Sequence, residues 1–176
     1  GVDQFITLTQ GSVVGLDIRT GELLWSASFR PMSPQNALTP VYRDGHVFIA
    51  CGHSSGGTLL KIDVAGKTAK RIWYREDLDD CHSGSLVWGD KLFGSACRTG
   101  GRHFFCVDYL TGETLQLDNT LGKVGMTCAD GKLYLLNHQG TLSLLDITAK
   151  GFEIVSQFDL PKKPVNSYLA HPVVCA

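Results

Sequence analysis

Apolar residues in this chain fall in short runs of four to seven, and each run is broken by a tight polar turn. No stretch carries the three-to-four-residue spacing of an amphipathic helix with caps at both ends. Two kinds of break alternate. The first is a two-residue turn between apolar strands: Asp44-Gly45, Gly89-Asp90 and Asp130-Gly131. Asp-Gly suits a type I′ hairpin, where both turn residues take positive φ, and Gly-Asp suits type II′. The second opens on an aspartate and closes on a glycine, as in Asp17-Ile18-Arg19-Thr20-Gly21 and Asp108-Tyr109-Leu110-Thr111-Gly112. Looser copies start at Asp63 and Asp146, so the four aspartates are spaced by 46, 45 and 38 residues.

This alternation predicts four short strands, a to d, per repeat. Residues 38–77 hold a at 38–42, b at 46–51, c at 58–63 and d at 70–76. Residues 84–118 and 124–160 repeat the order, with a at 84–88 and 124–128 and d at 114–117 and 153–160. Residues 1–29 supply b, c and d at 4–9, 12–17 and 23–29, and 171–176 supply strand a alone. Four-stranded antiparallel units recurring at about 40 residues predict an all-β fold, a β-propeller of about four blades' worth. A β-sandwich of repeated hairpins would not explain the fixed alternation of the two turn types. One blade cannot bury both faces alone, so neighbours must stack.

Three complete blades with a partial first and last one are expected to be part of a larger, seven- or eight-bladed propeller. Two alternatives stay open: a closed four-bladed ring, with 171–175 completing the blade of 4–29, and two half-rings paired as a homodimer through open blade edges. The strand entered at Gln4 suggests that the chain starts inside a longer polypeptide.

The segment Gly15-Leu16-Asp17-Ile18-Arg19-Thr20-Gly21-Glu22-Leu23-Leu24-Trp25 resembles the pyrroloquinoline-quinone (PQQ)-like propeller repeat, whose pattern is Ala-x-Asp-x-x-Thr-Gly-x-x-x-Trp. Only Gly15 departs. In the copy at Asp108, Thr111 and Gly112, Gln116 stands at the tryptophan position. In the copy of residues 38–77, Trp73 is the candidate replacement. The resemblance implies turn-forming roles for Asp17, Thr20 and Gly21 and blade docking by Trp25. The tail from Gly151 through Val174 is similar to the late blades of exported bacterial members, which implies a periplasmic or secreted location.

The chemistry beside this scaffold is sparse. Strand direction puts the b–c loops and d–a crossings on one face, the usual ligand face of a propeller. His53 and His138 fall in b–c loops, and His82 and His171 on or beside d–a crossings. His103 falls in strand c near that face, and only His46 belongs to the opposite one. The segment Asp79-Asp80-Cys81-His82-Ser83-Gly84 is the candidate centre of a channel-mouth site, with Asn36, Arg98, Arg102 and Asn166 as neighbours. The alternative is plain loop structure: polar residues gather where strands end, and His82 hydrogen-bonds its own loop.

No Gly-x-Ser-x-Gly elbow, His-Glu-x-x-His or phosphate loop is present, so no catalytic or metal residue is assigned. Quinoprotein dehydrogenases hold PQQ between an adjacent-cysteine disulfide and a tryptophan, beside Ca²⁺. The cysteines here stand apart, at 51, 81, 97, 106, 128 and 175. The resemblance therefore carries the scaffold but not the dehydrogenase site; PQQ with Ca²⁺ belongs only to the alternative reading of an enzyme fragment. Cys51, Cys97 and Cys106 sit in apolar runs and are expected to pack as free thiols.

A net charge of −1 gives no electrostatic case for nucleic acid, and no apolar run is long enough to span a membrane as a helix. The expected function is a non-catalytic binding or scaffold module of an exported bacterial protein, with a protein or polymer partner.

Overall fold

A computed structural model describes residues 2–32, 36–98, 102–161, 167–168 and 170–175. Its described residues form fifteen strands and no helix. The first blade has three strands, β1 (Gln4–Leu8), β2 (Ser12–Asp17) and β3 (Leu23–Ser28). The second has β4 (Val41–Arg43), β5 (His46–Ala50), β6 (Gly57–Asp63) and β7 (Thr68–Arg75). The third runs through β8 (Leu86–Trp88), β9 (Lys91–Ser95), β10 (Phe104–Asp108) and β11 (Thr114–Asp118). The fourth runs through β12 (Val124–Ala129), β13 (Lys132–Asn137), β14 (Thr141–Thr148) and β15 (Gly151–Asp159). Each blade is an antiparallel meander, and one parallel bridge, Ser26 to Thr68, joins the outer strands of the first two blades.

The turns adopt the geometry their residues demand. Asp44-Gly45 and Asp130-Gly131 have positive φ at both residues, as type I′ requires, whereas only Gly89 does so in Gly89-Asp90. At the longer turns the aspartate ties the chain down. Asp17 Oδ1 accepts the N–H groups of Arg19 (2.8 Å) and Thr20 (3.0 Å), and Gly21 closes the turn at φ 74°. Asp108 Oδ1 does the same for Leu110 (3.0 Å) and Thr111 (2.8 Å).

Packing follows the strand alternation. In β5, Val47 and Ile49 join Trp25 and Val13 of the first blade, while Phe48 and Ala50 join Leu92, Phe105 and Val107 of the third. In β9 and β10, Phe93, Phe104 and Cys106 point the other way, against Leu133, Leu135, Leu145 and Phe152 of the fourth blade. Three apolar layers thus lie between four blades. The central strands of the second and third blades are buried on both faces, which is why they read as unbroken apolar runs.

A β-bulge recurs at one place in every blade, between the c and d strands. The d-strand residue beside it is Trp25, Trp73, Gln116 and Ser156 in turn. A bulge sharpens the strand's twist and re-aims the side chain next to it. Trp25 is 1 % exposed in the first layer. Trp73 and Gln116 reach the c–d turn of the following blade.

The tail departs from the sequence expectation. Among the described residues, 170–175 form no strand and β1 pairs only with β2, so the described tail does not complete the first blade. An inner strand a is held by strand b of its own blade. Here His171 instead meets the carbonyl oxygens of Met126 (Nδ1, 3.3 Å) and His82 (Nε2, 3.1 Å), on the inner side of the third and fourth blades. Outside the described residues lie 162–166, and with them Asn166.

Candidate functional site

The loops assigned to the ligand face do come together. The crossing from β7 to β8 is threaded through the others by two buried carboxylates. Asp79 Oδ1 accepts the N–H groups of Cys97 (2.9 Å) and Arg98 (3.2 Å) from the loop after β9. Its Oδ2 accepts the N–H of Ser54 (2.9 Å) from the loop after β5. One side chain therefore fixes two b–c loops to one crossing. Asp80 turns back on its own loop, taking the N–H of Ser83 at 3.0 Å and the hydroxyl of Ser85 at 3.3 Å. Complete burial pushes the Asp80 carboxyl up to about 6, against the opposing pull of those donors. Ser83 and Ser95 then join their hydroxyls across the same seam.

Both carboxylates are consumed by loop structure, which leaves Cys81, His82, Cys97 and Lys123 as the remaining titratable side chains of the cluster. Cys81 Sγ lies 2.9 Å from His82 Nδ1. The Cys97 thiol and the Lys123 ammonium lie against the Cys81 sulfur as well. Burial pushes the Cys81 thiol up to about 12. His82 is held below its ordinary value, first by burial and then by the charges of Lys123 and His53. Contact with the two thiols raises Lys123 despite its own partial burial.

The remaining candidates are placed unevenly. His53, in the loop after β5, is near enough to His82 to act on it electrostatically. His171 joins from the tail through the His82 carbonyl. His138 meets the same crossing as Lys123: its N–H donates to the Lys123 carbonyl at 3.0 Å. Arg98 contributes its backbone, and Arg102 is exposed beyond the cluster. Asn36 touches Cys51 at 4.0 Å. His103 precedes β10 rather than lying in it; it is buried against Phe105 with no hydrogen-bond partner on Nε2.

Sequence reasoning did not single out Lys123 or pair Cys97 with Cys81. Both positions were legible as ligand-face positions, Lys123 as a d–a crossing and Cys97 as the end of strand b, but neither lies in a recognisable spacing with Cys81. Among the described residues no group of three or more His, Cys, Asp or Glu side chains is arranged to hold a metal ion. Beside the cluster, a groove of about 360 Å³ runs along Thr39–Tyr42, Gly84–Leu86, Met126 and His171, on the inner side of the blades.

Residues 2–117 match the family model described as outer membrane protein assembly factor BamB, a model of the PQQ-like repeat. The chain belongs to this PQQ-like propeller family. An uncharacterized protein of Rickettsia conorii is 31 % identical over 98 residues, which is 50 % of this chain and 22 % of that protein. The crystal structure of BamB from Moraxella catarrhalis matches with TM-score 0.52 and 18 % identity, over 89 % of this chain and 58 % of that one. A computationally designed protein, Ika8, matches with TM-score 0.67 and 13 % identity, over 94 % and 49 %. The β-propeller domain of Cps50 (Swd1) from Myceliophthora thermophila gives 0.62 and 12 %, over 88 % and 55 %. These structural matches establish the fold, a partial β-propeller. The chain spans about half the length of the structures it matches and about a fifth of the curated relative. No helix among the described residues is long and apolar enough to cross a membrane.

As a member of this family the chain keeps the motif for its structural part. Asp17, Thr20, Gly21, Asp108, Thr111 and Gly112 build c–d turns, on the face opposite the cluster.

Proposed function

We propose that this chain is a non-catalytic binding module of an exported, periplasmic bacterial protein, and that the open faces of its outermost blades are seats for further blades of the same kind. The observation that carries this reading is the pair of uncovered sheet faces. On the fourth blade, register aligns Leu136, Leu142 and Phe158 on the side away from the buried Leu133, Leu135 and Leu145, with Tyr134 and Leu144 beside them. Phe158 is 61 % exposed. On the first blade, Phe5, Leu16 and Leu23 align in the same way, and Phe5 is 55 % exposed.

Inside the molecule, equivalent faces are covered by a neighbouring blade. The occupant that fits the outer faces is therefore another four-stranded blade of the same kind, from the rest of a longer chain, from a second copy or from a partner built on this repeat. The BamB family description, an assembly factor of the outer membrane, agrees with a role carried by protein contacts.

A quinoprotein role would need a PQQ and Ca²⁺ site. Titration with PQQ and Ca²⁺, followed by tryptophan fluorescence, tests the difference. The binding-module reading expects no saturable change at micromolar PQQ; saturable binding would overturn it.

A further inference from the structure

Six cysteines occur in this chain, and all six carry free thiols in the structure. Four are dispersed. Cys81 and Cys97 are not: they reach one point from different loops. Cys81 stands in the crossing between the second and third blades, and Cys97 at the start of the b–c loop of the third. Asp79, two residues before Cys81, holds the Cys97 backbone N–H at 2.9 Å, which fixes the two chain segments against each other. Gly52 packs directly on Cys81: a Cβ at that position would lie 2.2 Å from the Cys81 Cβ and 3.2 Å from its sulfur. The Cys81 sulfur thus faces the Cys97 thiol, His82 and Lys123.

We propose that Cys81 and Cys97 are a disulfide-forming pair that locks the β7–β8 crossing to the b–c loop of the third blade. The oxidant is a thiol–disulfide donor of the class found in oxidising compartments. A thiolate attacks one sulfur of the donor disulfide, forms a mixed disulfide and releases one donor thiol. The second protein thiolate then attacks the mixed disulfide and releases the other. Two protein S–H bonds are lost, one S–S bond is formed, and the donor leaves as two thiols carrying both electrons and both protons.

Cys97, at 7 % exposure against 2 % for Cys81, is the thiol a donor meets first. His82 Nδ1, 2.9 Å from Cys81, is placed to take the second proton. The Lys123 ammonium stabilises either thiolate as it forms.

This inference rests on the exported location proposed above but not on the recruitment of a partner, because the lock requires none. The test is to equilibrate the purified chain in glutathione buffers of rising oxidised fraction, alkylate the free thiols and measure intact mass. The expected result is four alkylated cysteines instead of six, with tryptic peptides 76–91 and 92–98 joined. Cys81→Ser and Cys97→Ser each prevent the link, and Cys51→Ser leaves it. Oxidation is expected to raise Tm by about 5–10 °C through closure of the loop between the two cysteines. Six alkylated thiols at the most oxidising ratio, or a link to any other cysteine, overturns the proposal. Should a serine variant fail to fold, the peptide map of the unaltered chain decides alone.

Discussion

The indole of Trp73 lies on Gly112, a residue of the next blade. Its Nε1 donates to the Tyr109 carbonyl at 3.1 Å, and a Cβ on Gly112 would come within 2.8 Å of the ring. Arg75, two residues along the same strand, donates to the Gly112 carbonyl at 2.8 Å. The outer strand of one blade thereby clasps the c–d turn of the following one. Gly112 serves twice, as the positive-φ residue that closes the turn and as the flat surface the indole needs. Trp73→Ala is expected to cost about 3–5 kcal/mol, in the range for removing a large packed aromatic. Urea unfolding of the variant measures it; a cost below about 1 kcal/mol would mean the clasp is not a main blade contact.

Gln116 occupies the corresponding seat one blade later and works by a different force. Its Oε1 accepts the N–H of buried Phe152 at 2.9 Å, and Gly151 lies beneath it as Gly112 lies beneath Trp73. Gln116→Ala leaves that N–H without an acceptor, at an expected cost of about 1–3 kcal/mol. Gln116→Leu should recover packing but not the hydrogen bond, and should remain destabilised in the same urea assay.

Gly15 departs from the family's alanine for a reason visible in the first blade. It pairs with Trp25 across the sheet, and a Cβ there would stand 2.2 Å from the indole Nε1. Trp25 cannot move aside freely, because that nitrogen donates to Gln4 Oε1 at 2.6 Å. Gly15→Ala, a change toward the family pattern, is therefore expected to destabilise by about 1–3 kcal/mol. A stabilised variant would show that the indole has another place to go.

Asp80 gives a pH dependence of unusual sign. Its carboxyl titrates at about 6 in the folded chain and near 3.8 when released, so the folded state holds the proton more tightly. The stability this contributes is complete below about pH 4 and is lost as pH rises through about 6, by about 3 kcal/mol in all. Asp80→Asn removes the titration. The stability difference between variant and parent should grow from pH 4 to pH 6.5 and then level off. A difference independent of pH would contradict a buried carboxyl that titrates at about 6.

Strand pattern and turn chemistry were enough for the blades. Asp44-Gly45 and Asp108 through Gly112 impose local geometry regardless of what packs on them, and the observed strands lie within a few residues of those expected. The seat residues were only half legible. Trp25 announces itself by size, whereas Gln116 is recognisable only through the bulge that places it and the Phe152 N–H it meets.

The site was read less well, because the decisive relationships run between loops. That Asp79 is spent on the N–H groups of Ser54, Cys97 and Arg98 depends on three segments arriving together. Sequence spacing does not encode this, and the same holds for Lys123 beside Cys81 and Cys97. The tail failed for a related reason. Residues 171–175 have strand-like composition, but His171 finds the Met126 and His82 carbonyls instead of a strand partner.

The claim that the outer blade faces recruit another blade is tested most directly by sedimentation velocity of the purified chain, from micromolar to sub-millimolar concentration. The account predicts concentration-dependent association, abolished by Phe158→Glu on the open face of the fourth blade while the far-ultraviolet spectrum of the folded sheet is kept. A single monomeric species across the whole range, unchanged by Phe158→Glu, would contradict it.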